Sequence, residues 1–145
     1  MLKTILIIIN TIIFLALSGI HVYWVFGGTW GAKHAVPDQW QEAYFDASKN
    51  GKIKIATAVV ALALFACALL MLSHTGWISV GIFKDWTHIL TIAMGAAFGL
   101  RAIGDFNIVG FFKKKRDDNF SKSDTQLFSP LCFFISVTIF LMLYL

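Results

Sequence analysis

THILTIAMGAAFGLRAIGDFNIV, residues 87–109, is apolar along most of its length yet carries Arg101 and Asp105 four residues apart. As a helix rising 1.5 Å per residue, a run of this length crosses the roughly 30 Å hydrocarbon core of a bilayer. A charge at mid-membrane costs about 2.5–3.5 kcal/mol on insertion scales, so the guanidinium and the carboxylate are expected to neutralise each other across one helical turn. The run therefore reads as a membrane span with a polar face, and that face is the first candidate for function.

Working outward, three further apolar runs follow the same reading: residues 4–26, 53–73 and 127–145. The composition agrees, with 58% hydrophobic and 14% charged residues in 145, against about 25% charged in soluble proteins. Backbone groups in lipid must bond internally, and none of the runs alternates with a period of two, so helices rather than barrel strands are predicted. The expected fold is all-α: a four-helix transmembrane bundle forming a single domain over residues 1–145. The short connections make consecutive spans antiparallel neighbours. The first run follows Lys3 and passes through Ala16, Ser18 and Gly19, as a secretory signal would, but it continues to Phe26 and is longer than a signal core.

The basic residues divide unevenly. Lys33, Lys49, Lys52, Lys54, Lys113, Lys114, Lys115, Arg116 and Lys122 fall between spans one and two or three and four, against Lys3 and Lys84 on the other side. The positive-inside rule then predicts a multi-pass protein of the cell (inner) membrane, with loops 27–52 and 110–126 cytoplasmic and both termini outside. The net charge of +4 is a topology signal. The basic run Lys113–Arg116 is diluted by Asp117 and Asp118 and has no aromatic groove, so it reads as a headgroup anchor and not as a nucleic-acid site. Cys67 and Cys132 enter their spans at different depths and are not expected to pair. With no metal-ligand spacing among Cys and His, and no phosphate loop, GxSxG or HExxH, neither a metal nor a cofactor is expected.

Two loop features stand out. After Pro37, the residues Trp40, Ala43, Tyr44 and Ala47 share one helical face and acids fill the rest up to Asn50-Gly51, which predicts a short amphipathic helix in the membrane interface. Before the fourth span, Ser129-Pro130 reads as an N-cap and first helical position; alternatively Asp124 or Thr125 caps the helix and Pro130 kinks it. Both versions put irregular backbone at the cytoplasmic side.

The polar residues of the spans converge. Thr91, Met94, Phe98, Arg101 and Asp105 share one face of the third span, and Asn10, Phe14, Leu17, His21 and Trp24 share one face of the first. Antiparallel alternation puts His21, Arg101 and Asp105 in one leaflet, beneath the positively polarised starts of spans two and four and beside Lys52. Gly95 and Gly99 form a GxxxG that allows close helix approach, within the bundle or between protomers of a homo-oligomer.

At these residues the chain resembles a family of short bacterial four-span membrane proteins of unknown function. The resemblance is carried by His21-Val22-Tyr23-Trp24 with Gly27-Gly28 and Trp30-Gly31, by Leu100-Arg101-Ala102-Ile103-Gly104-Asp105-Phe106 with Val109-Gly110-Phe111, and by Asp124-Thr125 with Phe128-Ser129-Pro130-Leu131. It implies the same architecture and singles out His21, Trp24, Arg101, Asp105, Asp124 and Ser129, without supplying a substrate. The segment after Pro37 departs from the family pattern.

Three functions are compatible with these residues. The first is a cytoplasm-facing recess that binds a lipophilic molecule with a polar or anionic head. In it, His21 and Asp105 are candidate acid/base residues, and Arg101, Trp24, Asn10, Lys52, Asp124 and Ser129 are candidate binding residues. The second is a structural or assembly protein whose Arg–Asp pair only fixes packing. The third is a small dimeric proton-coupled transporter with Asp105 as carrier.

Overall fold

The computed structural model describes residues 1–46, 51–78, 85–114 and 118–145. Ala47 and Asn50 of the expected interfacial helix, and Lys49, Lys84, Lys115 and Arg116 of the charge count, lie outside the described residues, as does Asp117. Among the described residues the chain is all-α. Its helices are α1 (Leu2–Val25), α2 (Ala32–Ala35), α3 (Asp38–Phe45), α4 (Gly51–Ser73), α5 (Thr87–Ile103), α6 (Asn119–Ser123) and α7 (Ser129–Tyr144), with a π-helical turn, Asp124–Phe128, joining α6 to α7. Three helical stretches are long and apolar enough to cross a membrane: α1, α4 and the continuous run Asn119–Tyr144. Helix α5 is apolar but shorter. Four long helices of this character are consistent with a bundle in a membrane protein.

The helices pack as two close pairs, α1 with α4 and α5 with α7, joined by thinner contacts between α1 and α7 and between α4 and α5. Their register follows from the side chains that touch. The Phe14 and Phe98 rings lie 5.4 Å apart, which brings the middle of α1 against the later half of α5. Ser18 Oγ donates to the Ala61 carbonyl at 2.9 Å. Asn10 and Thr138 exchange side-chain hydrogen bonds of 3.0 and 3.1 Å, which brings the first long helix against the last. The core is a stripe of Leu6, Ile7, Phe14, Leu64, Ala68, Met71, Met94, Ile135, Ile139 and Met142. Outward faces remain apolar, as with Ile12, Leu62 and Ile89, which is the surface lipid requires.

Between lipid-solvated helices, burial of apolar surface gives little attraction, so close backbone approach and polar contacts take over. Gly95 and Gly99 do this within the molecule. A Cβ on Gly95 would sit 3.0 Å from Ile139 Cγ2, one on Gly99 would sit 2.9 Å from Ser136 Oγ, and Ser136 Oγ donates to the Gly95 carbonyl at 2.8 Å.

Three expected boundaries move. The span expected over residues 87–109 stops at Ile103, because Gly104 takes φ 95°, a conformation that side-chain-bearing residues avoid. The span expected from residue 127 begins earlier, at Asn119, capped by Asp118, whose carboxylate accepts from the Ser121 amide at 2.7 Å. Ser129 is therefore not the cap. Pro130 has no N–H and its ring crowds the carbonyl four residues back, so the helix passes it by widening into a π-turn in which the Ser129 amide bonds to Asp124 O. In the first loop, α3 ends at Phe45; Gln41 points inward, its Nε2 donating to the Lys33 and Val36 carbonyls at 3.1 Å, while Trp40 is 58% exposed.

Gly95→Leu should force α5 off α7. Overpacking of this kind costs about 1–3 kcal/mol, to be read as a lowered melting temperature in detergent, whereas the same substitution at Gly19, which has open space around it, should leave melting unchanged.

Candidate functional site

The site forms where α5 ends. Gly104 and Gly110, both at positive φ (95° and 89°), lie back to back: a Cβ on Gly104 would overlap the Val109 carbonyl, and one on Gly110 would overlap Gly104. The chain between them turns around Asp105, whose Oδ1 accepts from the amides of Asn107, Ile108 and Val109 at 2.9, 2.7 and 3.0 Å. These N–H groups, Val109's foremost and then those of Asn107 and Ile108, hold the Asp105 carboxyl below the ordinary carboxylate range. The side chain is exposed. The turn then delivers Gly110 and Lys113 to the π-turn.

There the central group is Asp124, 0% exposed. Its Oδ1 accepts from Arg101 Nη2 at 2.7 Å. Its Oδ2 accepts from Lys113 Nζ at 2.8 Å, from the Gly110 amide at 2.7 Å and from Ser129 Oγ at 3.1 Å. Lys113 is itself buried and donates further to Thr125 Oγ1 at 2.7 Å and to Gly110 O at 3.2 Å. A buried carboxylate persists only when its lone pairs are filled and its charge is matched, and this one meets both conditions. Arg101 is less fully served. Its side chain is 34% exposed, it reaches Asp124 through one nitrogen, and Nη1 is buried with no hydrogen-bond partner among the described residues.

The pairing expected between Arg101 and Asp105 is not formed. It required the helix to continue past Gly104; with α5 ended there, Asp105 leaves the helical face and bonds to its own turn, and Arg101 reaches Asp124 on the next element instead. His21 lies in the last turns of α1, but it does not join the cluster. Its Nδ1 donates to the Leu17 carbonyl at 2.7 Å, and its ring stands edge-on to Trp24, centroids 5.0 Å apart. Trp24 Nε1 donates to the Trp30 carbonyl at 2.9 Å, and Trp24 lines a cavity of about 110 Å³ with Gly27, Thr29, Tyr44, Phe45 and Lys54. Asn10 is deep in the core with Thr138, and Lys52 is exposed in the first turn of α4. Of the residues singled out in the sequence, Arg101, Asp124 and Ser129 come together; His21, Trp24, Asn10, Lys52 and Asp105 have other partners or other places.

Lys113 and Gly110 complete the cluster unannounced. Lys113 heads the basic run, which disguises it as a headgroup anchor, and it is instead the buried counter-ion. The signal that could have revealed it is the pairing of a second cation, just after a shortened helix, with Asp124, an acid inside an apolar segment. At the opposite end His74 Nε2 bonds to Thr91 Oγ1 at 2.8 Å, and since Thr91 donates to the Thr87 carbonyl, the imidazole is the donor. Burial first, then Lys3 and His88, push the His74 pKa below histidine's ordinary value.

Asp124→Ala should cost about 3–5 kcal/mol, because it strands the buried Lys113 and leaves the part-exposed Arg101 without its counter-ion. Lys113→Met should cost less, under about 2 kcal/mol, because the Arg101–Asp124 pair stays neutral. Melting temperatures of the two variants in detergent, each against the parent protein, check this order.

A family model described as Protein of unknown function (DUF3995) matches residues 14–139, most of the chain. No curated protein and no solved structure matches it. The matched region takes in α1 from Phe14 onward and every member of the Arg101–Asp124–Lys113 cluster, and the chain belongs to the DUF3995 family of proteins of unknown function.

Proposed function

We propose that this membrane protein binds a lipophilic molecule with an anionic head, a phosphate or a carboxylate, and that Arg101 is the group that receives it, at the cytoplasmic end of the helices. The observation that carries the reading is the half-used guanidinium. Three donors occupy Asp124 Oδ2, so Arg101 is left with a single-point contact to Oδ1, and Nη1 has no acceptor among the described residues. A charged donor without an acceptor is costly in low dielectric, and a planar fork favours bidentate oxyanions. A third of the side chain is exposed, and Nη1, buried in the present position, becomes reachable when the guanidinium turns toward that open side. Lys54 and the aromatic cavity beside Trp24 add a cation and apolar walls at the same end. The acid/base roles considered for His21 and Asp105 draw no support from their partners, and neither does proton carriage by Asp105, which is held ionised.

One observation favours a second reading, in which the cluster only fixes packing: Asp124 is saturated by four donors from three elements. The two readings part at Arg101→Gln. Lys113 continues to neutralise Asp124 in that variant, so it should fold. Protein delipidated in detergent and returned to phosphatidylcholine vesicles containing phosphatidylglycerol, or oleate in a second arm, is assayed for retained anionic lipid by native mass spectrometry. Losing one charge-assisted contact should lower retention about tenfold in the variant. The arm that shows the loss identifies phosphate or carboxylate, and equal retention in both arms overturns the binding reading in favour of the structural one.

A further inference from the structure

We propose that residues 104–112 are a membrane-inserted loop that sits in the interfacial layer of the bilayer and completes, without helix, the crossing that α5 begins. The length of α5 calls for such a completion: 17 residues rise about 25 Å, short of the roughly 30 Å core. Non-helical backbone can fill the difference only if its polar groups are already bonded within the protein, because lipid offers no partners.

This loop meets that condition for most of its N–H groups. The amides of Asn107, Ile108 and Val109 converge on Asp105 Oδ1. The Gly110 amide goes to Asp124 Oδ2, and those of Phe111 and Phe112 return to the carbonyls of Ala102 and Ile103 at 2.9 and 3.4 Å. Six consecutive N–H groups are thus satisfied outside any helix. A loop bathed in water has no need of this, since water satisfies its amides.

The side chains point to the same placement. Phe106, Phe111 and Phe112 are 58%, 38% and 63% exposed, and the rings of Phe106 and Phe112 lie 6.4 Å apart on one patch. Phe106 holds φ 61°, a left-handed conformation uncommon for a bulky residue, and there its ring stands outside the turn. Aromatic rings favour the zone between acyl chains and headgroups. The ionised Asp105 and the exposed Lys114 bracket the patch and set how deep it can go, as both require water or headgroups. The aqueous boundary therefore runs along the loop, with its phenyl rings on the lipid side.

The test uses nitroxide labels on the full chain in phosphatidylcholine–phosphatidylglycerol vesicles, with Cys67→Ala and Cys132→Ala removing the native thiols. Labels at Phe106→Cys and Phe112→Cys are compared with Leu62→Cys, on the outward face of α4, and with Lys114→Cys. Power saturation reads collisions with oxygen, which concentrates in lipid, and with a water-soluble nickel chelate. The oxygen-to-chelate ratio at both loop positions should exceed that at Lys114→Cys by about threefold or more and fall below that at Leu62→Cys, as an interfacial depth requires. Ratios at both positions no higher than at Lys114→Cys overturn the proposal. Each label reports independently, so failure of one variant to fold leaves the other decisive.

Discussion

A single carboxylate that must stay charged in a low-dielectric setting governs the architecture around it. Asp124 is fully buried and holds α5 through Arg101, the turn after α5 through the Gly110 amide and Lys113, and the start of α7 through Ser129. Removing any one partner leaves the others in place, but removing the acid strands two cations, so the dependence is asymmetric. The local backbone serves this arrangement. Pro130 widens the helix into the π-turn on which Asp124 sits, and the paired positive-φ glycines bend the chain so that Gly110 presents its N–H to the acid.

The rest of the molecule is held by weaker and more distributed contacts. Lipid removes most of the hydrophobic drive between helices, which leaves packing and scattered hydrogen bonds. Ser18 to Ala61, Asn10 to Thr138 and Ser136 to Gly95 each join one helix to another, and the glycines of α5 bring α7 within contact. The polar cluster closes the end where α5 meets α7, and the His34–Ser123 contact of 3.3 Å ties the first loop to α6 at that same end.

How much of this was legible follows from what periodicity and hydropathy measure. The apolar runs announced four helical stretches, because lipid leaves the backbone few alternatives. Their ends were not announced, because hydropathy is blind to the φ that Gly104 adopts. That one residue turned a reasonable spacing argument into a wrong pair: Arg101 and Asp105 share a face only in a helix that continues. Asp124 and Ser129 are visible through the family motifs, although Ser129, which has the look of a cap, instead donates a hydrogen bond to the acid. Lys113 was hidden by its neighbours, since a run of basic residues reads as solvated surface unless an acid inside the adjoining apolar segment is matched against it.

The asymmetry of the cluster also bears on which of its members serves more than the fold. Lys113 has three acceptors and no exposed surface, the signature of a residue committed to structure. Arg101 makes one ion-pair hydrogen bond, keeps a third of its side chain open and carries a donor nitrogen with no acceptor among the described residues. Asp124 already has a counter-ion in Lys113, so a second cation is more than its charge demands, and a guanidinium near the membrane is an expensive surplus. If packing were the sole requirement, an apolar side chain at that position would cost less. The surplus of charge over what Asp124 requires is the feature on which the proposed anion-binding role of Arg101 rests.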